Sequence, residues 1–196
     1  MADSTTAPPS SWMGASVWPR ISQPSSNEAT GSMFITGAFS AMFRRGRLTN
    51  STLNTSLSGL KDSIGAVTGI SLLVTNNFHT TTSLNNGSTT VAGAAATAGF
   101  TATMARDYFL LNTSPLTPGG ETNSEASIRF AGLVAGQSYL LTVFSSRADP
   151  VGPRRLNVTL AGVAEMSGFI DGTNNNSNVL ELTAAATTGE IGRAHV

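Results

Sequence analysis

Hydrophobic and polar residues alternate in short runs from Leu48 to Leu182. In the clearest run, Leu156, Val158 and Leu160 are separated by single polar residues. A period of two places successive side chains on opposite faces of a β-strand, so each run predicts a strand with one buried face. Glycine, asparagine and proline interrupt the runs, as they do at turns.

The alternation predicts about seven strands. They cover residues 70–75, 106–111, 126–131, 139–144, 156–160, 163–170 and 179–182. The runs 126–131 and 139–144 are joined within 126–147 by a Gly132–Gly136 turn, and this unit is predicted to be a β-hairpin. Residues 79–99 are predicted to form a loop, and no helix is predicted at Ala92–Ala98 because Gly93 and Thr97 interrupt it.

Strands spaced by about 8–15 residues, with turn signals between them, favour a sandwich or barrel over alternating strands and helices. The predicted fold class is therefore all-β, an antiparallel β-sandwich that is incomplete at both ends. Its core is predicted to bury four side chains in particular, those of Leu141, Val143, Leu156 and Val158.

The chain is predicted to divide into three parts, with the β-sandwich domain at 48–189. Residues 1–47 hold both tryptophans and show no sustained period. Two interpretations stay open for them: a disordered Pro/Ser-rich leader, or a segment translated out of frame. Within this part, Met33–Phe43 is compatible with one edge strand.

The last part, 190–196, reads E-I-G-R-A-H-V. A widely used short-read sequencing adapter, preceded by one G, translates to these same letters. We interpret the segment as an adapter-derived tail, so His195 carries no functional meaning.

Composition excludes several classes of function. Charged residues make up only 11% of the chain and the net charge is zero, so no electrostatic field favours nucleic acid or an anionic membrane surface. The absence of cysteine excludes a disulfide framework and a thiolate nucleophile. No apolar run reaches the ~18 residues of a membrane-spanning helix, so no membrane insertion is expected.

The segment Gly132–Arg147 follows the pattern GL-x-x-G-x-x-Y-x-x-x-x-F-x-S-R. It resembles a hairpin of jelly-roll modules, which are similar to galactose-binding-like and carbohydrate-binding domains of large secreted or surface bacterial proteins. Supporting segments follow in the same order at 67–72, 105–109, 155–162 and 175–179. The resemblance implies a jelly-roll fold and an accessory role, and it implies no particular ligand.

The side chains needed for catalysis are scarce. Once the tail is set aside, His79 is the one histidine left to act as a general base. The carboxylates show no spacing that selects a catalytic pair, and no G-x-S-x-G motif is present. We therefore expect no enzyme and no cofactor, with a small hydrolase as a minor alternative. Asp171 begins a Gly/Asn segment whose oxygens suit calcium, but an ordinary Asn/Gly turn is the preferred interpretation and calcium the weaker one.

A sugar site combines an aromatic surface with planar hydrogen-bonding side chains. Two loops, 147–155 and 171–178, offer such side chains and are expected to meet at one end of the fold. The candidate ligand-binding residues are Arg147, Asp149, Arg154, Arg155, Asn174 and Asn176. An ion pair that steadies the 147–155 loop is the alternative role for its charged residues. Tyr108 and Tyr139 are expected in the core.

These observations predict a non-catalytic accessory module of an exported bacterial protein, carbohydrate-binding in type. The alternative is a structural spacer or adhesin domain of a cell-surface protein. The expected partners are a polysaccharide or cell-surface glycan and the other domains of the parent chain. The expected location is extracellular or at the cell surface, although residues 1–13 lack the features of a signal peptide.

Overall fold

The computed structural model describes residues 18–22, 54, 56–60, 67–78, 87–106, 125–148, 154–188 and 190–191. Within these ranges there are nine strands and two short helices. The strands are β1 (Trp18–Ser22), β2 (Ser56–Leu57), β3 (Ser71–Asn76), β4 (Ser127–Ala131), β5 (Ser138–Phe144), β6 (Arg155–Ala161), β7 (Glu165–Asp171), β8 (Leu180–Ala185) and β9 (Glu190–Ile191). The helices are α1 (Gly93–Thr97) and α2 (Ala102–Arg106).

The strands pair in three sheets, and every pairing between them is antiparallel. One sheet has the order β1-β5-β8, the second has the order β2-β3-β4-β9, and β6 pairs with β7 as a two-stranded hairpin. The prediction of an all-β chain with antiparallel sheets is confirmed. The arrangement of these sheets as a jelly-roll sandwich stays a prediction.

Alternate side chains from all three sheets enter one apolar core. Leu72 of β3 is fully buried, and Leu141 of β5 and Val158 of β6 are each at most 2% exposed. The four side chains predicted for the core are all buried: Leu141, Val143, Leu156 and Val158. Their burial confirms the period-two prediction on which the fold assignment depends.

The second half of strand β5 is buried on both faces. A strand with one face in solvent would bury only every second side chain. On one side the ring of Phe144 packs against Phe100, with ring centroids 5.3 Å apart. Phe100 follows α1, and Met104 of α2 is also buried, so the helical segment adds apolar side chains to the same core.

The predicted loop at 79–99 is wrong where α1 forms. The backbone amide of Ala98 donates to the carbonyl of Ala94 at 2.8 Å, a helical hydrogen bond. Gly93 has a φ of 53° and begins the helix, whereas Thr97 ends it and turns its hydroxyl onto the carbonyl of Gly93. The two residues taken as interruptions therefore lie at the helix ends. Arg106, predicted as the start of a strand, ends α2.

The prediction of a hairpin at 126–147 is also wrong. Its two strands form where the alternation places them, but β4 pairs with β3 and β9, whereas β5 pairs with β1 and β8. The connection between them passes from one sheet to another. Gly132, with a φ of 81°, lies against the backbone of Gly69, and the amide of Val134 donates to the hydroxyl of the buried Tyr139 at 2.9 Å.

Two strands come from the terminal segments. The backbone of β1 pairs with β5 over five residues, from Trp18 opposite Phe144 to Ser22 opposite Leu140. At the other end, β9 pairs with β4, and Ile191 is 1% exposed. Three residues discussed above, His79, Tyr108 and Asp149, lie outside the described residues, as does the segment Met33–Phe43.

In the part of the chain that the structure describes, neither helix has the length or the hydropathy to cross a bilayer.

Candidate functional site

The β6–β7 hairpin presents one polar face to solvent. Leu156, Val158 and Leu160 point into the core, so period two directs the intervening side chains of β6 outward. In β7 most side chains are exposed, and Ile170 alone among them is classed as buried. The hairpin therefore has a core face and an open face.

Three of the cross-strand pairs on the open face form what we call the hairpin strip. The pairs are Arg155 with Asp171, Asn157 with Phe169, and Thr159 with Ser167. Three rows, each two residues apart at about 3.4 Å per residue, make the strip about 14 Å long. This length suits an extended ligand better than a single small molecule.

Contacts within the strip fix several of its side chains. The guanidinium carbon of Arg155 lies 3.7 Å from the centroid of the Phe169 ring, and its Nε donates to Oδ1 of Asn157 at 3.2 Å. In the last row, the hydroxyls of Thr159 and Ser167 are 3.0 Å apart. These contacts hold the Arg155 guanidinium, the Phe169 ring and the Asn157 amide in a fixed arrangement without a ligand.

Phe169 is the residue that the sequence prediction missed. Its side chain is 55% exposed, although phenylalanine is among the residue types most often buried. The alternation of the predicted strand at 163–170 contains the signal, since a buried Ile170 requires Phe169 on the opposite face. The strip thus has an aromatic surface even though the body of the chain has no tryptophan.

Beside the strip, two arginines meet at one glycine, and we call Arg147, Arg154 and Gly172 the arginine junction. The carbonyl of Gly172 accepts from the amide of Arg147 at 2.7 Å, and its own amide donates to the carbonyl of Arg154 at 2.8 Å. A Cβ at this glycine would lie 2.6 Å from the Ser145 hydroxyl, so a larger residue would displace that hydroxyl. The structure thereby brings the ends of the two candidate loops together.

Arg154 is an unusually buried cation, with 3% of its surface exposed. Its Nε has no hydrogen-bond partner among the residues described. Burial, and then the charge of Arg147, lower the pKa of the Arg154 guanidinium below its ordinary value. The junction therefore concentrates positive charge in a poorly hydrated place.

Asn175 holds the second loop in place. Its side-chain nitrogen donates to the carbonyls of Ser145 at 2.8 Å and Asn178 at 2.9 Å. Its side-chain oxygen accepts from the backbone amides of Ser177 and Asn178, and its backbone carbonyl accepts from the Ser146 hydroxyl. With 5% of its surface exposed, Asn175 has a structural role.

The candidate asparagines on either side of it are exposed. Asn174 has a φ of 49°, and its amide donates to the carbonyl of Arg147 at 2.8 Å. The carbonyl of Asn176 accepts from the amide of Ala92 at 2.7 Å, which ties this loop to the start of α1. Of the candidate residues, Arg155 lies on the strip, and Arg147 and Arg154 form the junction. Asn174 borders the junction, whereas Asn176 contacts the start of α1.

Asp171 is the residue of the strip that directly precedes Gly172 of the junction. Hydrogen bonds from the Thr173 hydroxyl and then from the Thr173 amide, which lies 2.9 Å from Oδ1, lower the pKa of its carboxyl. In the part of the chain that the structure covers, no group of three or more histidine, cysteine or acidic side chains is placed to hold a metal ion. The carboxylate is already engaged with its own turn.

Comparison of the chain with known protein families, with curated proteins and with solved structures finds no match. Function is therefore argued from the geometry of the strip and the junction.

Proposed function

We propose that the chain is a non-catalytic accessory module of an exported protein and that it binds carbohydrate along the hairpin strip. The observation that carries the proposal is the exposed ring of Phe169 on the same face as Arg155, whose guanidinium stacks on that ring and bonds the Asn157 side chain. Proteins recognise sugars by placing an aromatic surface against the C–H groups of the ring and planar polar groups against its hydroxyls.

The fixed arrangement of side chains in the strip supports carbohydrate binding. The ring and the guanidinium are already stacked, so binding restricts few side-chain torsions that are still free. The hydroxyls of Thr159 and Ser167 extend the polar row beyond the ring and are exposed enough to exchange partners. A ligand about 14 Å long, which is an oligosaccharide rather than one sugar, covers all three rows.

A glycan array with the full chain, followed by calorimetry on the best ligand, tests the proposal. We expect binding at micromolar to millimolar levels, a loss of at least about tenfold with Phe169→Ala, and recovery with Phe169→Trp. Met166→Ala is the matched control, because Met166 is also an exposed apolar residue of β7 but lies on the other face.

Two results would reject carbohydrate binding on the strip. The first is an array with no ligand bound at millimolar concentration. The second is a ligand whose affinity is the same for Phe169→Ala and for wild type while circular dichroism shows both to be folded.

A structural spacer or adhesin domain is the second candidate, favoured by apolar side chains at the tip of the same hairpin. Val163 is 68% exposed and Met166 is 44% exposed. Exposed apolar residues that lie next to each other are typical of a protein–protein interaction surface. In that case Val163→Ser combined with Met166→Ser weakens association with a neighbouring domain of the parent chain, and Phe169→Ala leaves it unchanged.

A further inference from the structure

We propose that β6 pairs with β6 of a second copy of this chain, so that two copies form a dimer joined at one sheet edge. The interface is self-complementary, because a two-fold axis brings the same edge of each copy together. The proposal concerns the edge of the β6–β7 hairpin and not its open face, so it is independent of the proposed function.

The backbone groups of β6 point alternately toward β7 and away from it. At one end of the strand the Gly172 amide donates to the Arg154 carbonyl at 2.8 Å, and at the other the Gly162 amide donates to the Ala164 carbonyl at 3.4 Å. Both bonds join even-numbered residues, and in an antiparallel pair such residues alternate with residues whose amides and carbonyls point outward. The outward set consists of four residues: Arg155, Asn157, Thr159 and Ala161.

The β7 edge of the hairpin lies against β8. A Cβ at Gly168 would lie 2.7 Å from the Leu180 side chain and 3.4 Å from that of Leu182. At the start of β7 the amide of Val163 donates to the carbonyl of Ala185 at 2.9 Å. The outer edge of β6, in contrast, has no neighbouring strand in the part of the chain that the structure describes.

Of the sheet edges among the described strands, that of β6 is the least protected against pairing. Proteins protect such edges with short strands, prolines, bulges or charged side chains. The edge strands β2 and β9 have two residues each, and β1 contains Pro19. β6 has seven residues in unbroken register with β7, contains no proline, and carries one charged side chain, that of Arg155.

Two copies of β6 fit each other along their full length in one antiparallel register. This register has Val158 of each copy at the two-fold axis. It places Arg155 opposite Ala161 of the second copy, and Asn157 opposite Thr159. All outward residues then pair, which gives about eight backbone hydrogen bonds. A register aligned at Arg155 is unfavourable, because it places two like charges directly opposite each other.

Charge complementarity favours a second copy as the partner. Glu165 is exposed and pairs with Ala161 of its own hairpin, so it lies on the open face one strand further from the interface. In the dimer, Arg155 of one copy and Glu165 of the other lie in the same row, with Cα atoms about 10 Å apart. Their long side chains meet over the small Ala161, and the two-fold axis produces two such ion pairs. The net charge of zero adds no repulsion between copies.

The dimer leaves the strip accessible and is expected to be weak. A two-fold axis perpendicular to the sheet keeps the open faces of both copies, each with its Phe169, on the same side. On the core face the side chains of Leu156, Val158 and Leu160 are already at most 2% exposed, so pairing buries little further apolar surface. We therefore expect a dissociation constant in the micromolar range.

Analytical ultracentrifugation of the full chain, from about 1 μM to about 1 mM, measures the association. We expect Arg155→Glu alone and Glu165→Arg alone to raise the dissociation constant at least about tenfold, because each places two like-charged pairs across the interface. An equal mixture of the two variants restores the dimer, since both pairs in the heterodimer have opposite charges. Glu181→Arg, a charge reversal at an exposed position of β8, is the control and leaves association unchanged.

A second pair of variants tests the backbone pairing. Thr159→Pro removes an outward amide and is expected to abolish the dimer, whereas Thr159→Val keeps the amide and the dimer. If circular dichroism shows that Thr159→Pro does not fold, the mixture of charge variants decides. A dimer that persists in folded Thr159→Pro but is lost when Val163→Ser and Met166→Ser are combined would place the contact at the hairpin tip and overturn the proposal. The absence of a dimer at every concentration would also overturn it.

Amide hydrogen exchange identifies what occupies the edge. We expect the amides of Asn157 and Thr159 to exchange rapidly in dilute solution and to become protected as the dimer forms. The amides of Leu156 and Val158, which point toward β7, are protected at both concentrations. Protection of Asn157 and Thr159 in the dilute monomer would mean that another part of the same chain pairs with β6, and a second copy would then be rejected.

Discussion

The side-chain nitrogen of Asn175 lies 2.8 Å from the backbone carbonyl oxygen of Ser145, which joins the loop after β7 to the end of β5. Both residues are buried, so neither group has water as an alternative partner. The same loop carries the candidate residues Asn174 and Asn176. The position of this loop thus depends on one buried amide.

Replacing this amide is expected to destabilise the fold. Asn175→Ala leaves the buried carbonyl of Ser145 without its donor, which lowers the free energy of unfolding by about 2–3 kcal/mol. The matched control, Asn176→Ala, changes an exposed side chain and stays within about 0.5 kcal/mol of wild type. Urea denaturation followed by circular dichroism measures both, and equal midpoints for the two variants would contradict a structural role for Asn175.

The crossing between sheets is expected to tolerate no side chain at Gly132. Gly132→Ala combines a φ of 81° with a Cβ that would overlap the backbone oxygen of Gly69, and we expect a loss of about 3 kcal/mol. Gly136→Ala, at a φ of 76° with open space around it, isolates the conformational part, about 1–2 kcal/mol. Thermal unfolding compares the two, and a Gly132→Ala no worse than Gly136→Ala would show that the connection does not pass against Gly69.

The sequence identified most of the strands because burial on one face leaves a period of two, as at Leu156, Val158 and Leu160. Pairing could not be predicted in the same way. The alternation in β4 and β5 is the same whether the two strands pair with each other or lie in different sheets, and only long-range packing decides. The short helix α1 was missed because Gly93 lies at its start, where the helical pattern is weakest.

The candidate site could also be predicted only in part. Clusters of arginine and asparagine are visible in the sequence, and the structure brings Arg147 and Arg154 to one glycine. The sequence analysis did not predict that Arg154 is buried or that Phe169 is exposed, since both run against the usual preference of their residue types, although the alternation at 163–170 carries the signal for Phe169. Such exceptions depend on which face of a strand meets the core.

The common core is expected to make β5 sensitive to truncation. Leu141 is 2% exposed and belongs to the apolar cluster that all three sheets share, so Leu141→Ala lowers the free energy of unfolding by about 3–4 kcal/mol. Val163→Ala removes methyl groups from a side chain that is 68% exposed and changes it by less than about 0.5 kcal/mol. Chemical denaturation measures the free energy of unfolding of both variants, with the same denaturant dependence fitted to each. A loss below about 1 kcal/mol for Leu141→Ala would mean that β5 does not lie at the centre of the core.

The turn after β7 is expected to make stability depend on pH through Asp171. Because hydrogen bonds from Thr173 hold its pKa below the unfolded value, the charged carboxylate stabilises the folded state. This contribution is fully present above the unfolded pKa, which is about 4, and is lost as the pH falls through the folded value. The stability difference between wild type and Asp171→Asn is therefore largest near neutral pH and shrinks below about pH 4.

A second variant distinguishes the effect of the Thr173–Asp171 hydrogen bond from other effects of low pH on stability. Thr173→Val removes the hydroxyl, the larger cause of the shift, and keeps the carboxylate and the Thr173 amide bond. The titration midpoint of Asp171, followed by carboxyl-carbon NMR, moves upward in this variant toward that of an unperturbed aspartate. A midpoint that stays the same in wild type and Thr173→Val would show that the hydroxyl does not bond the carboxylate.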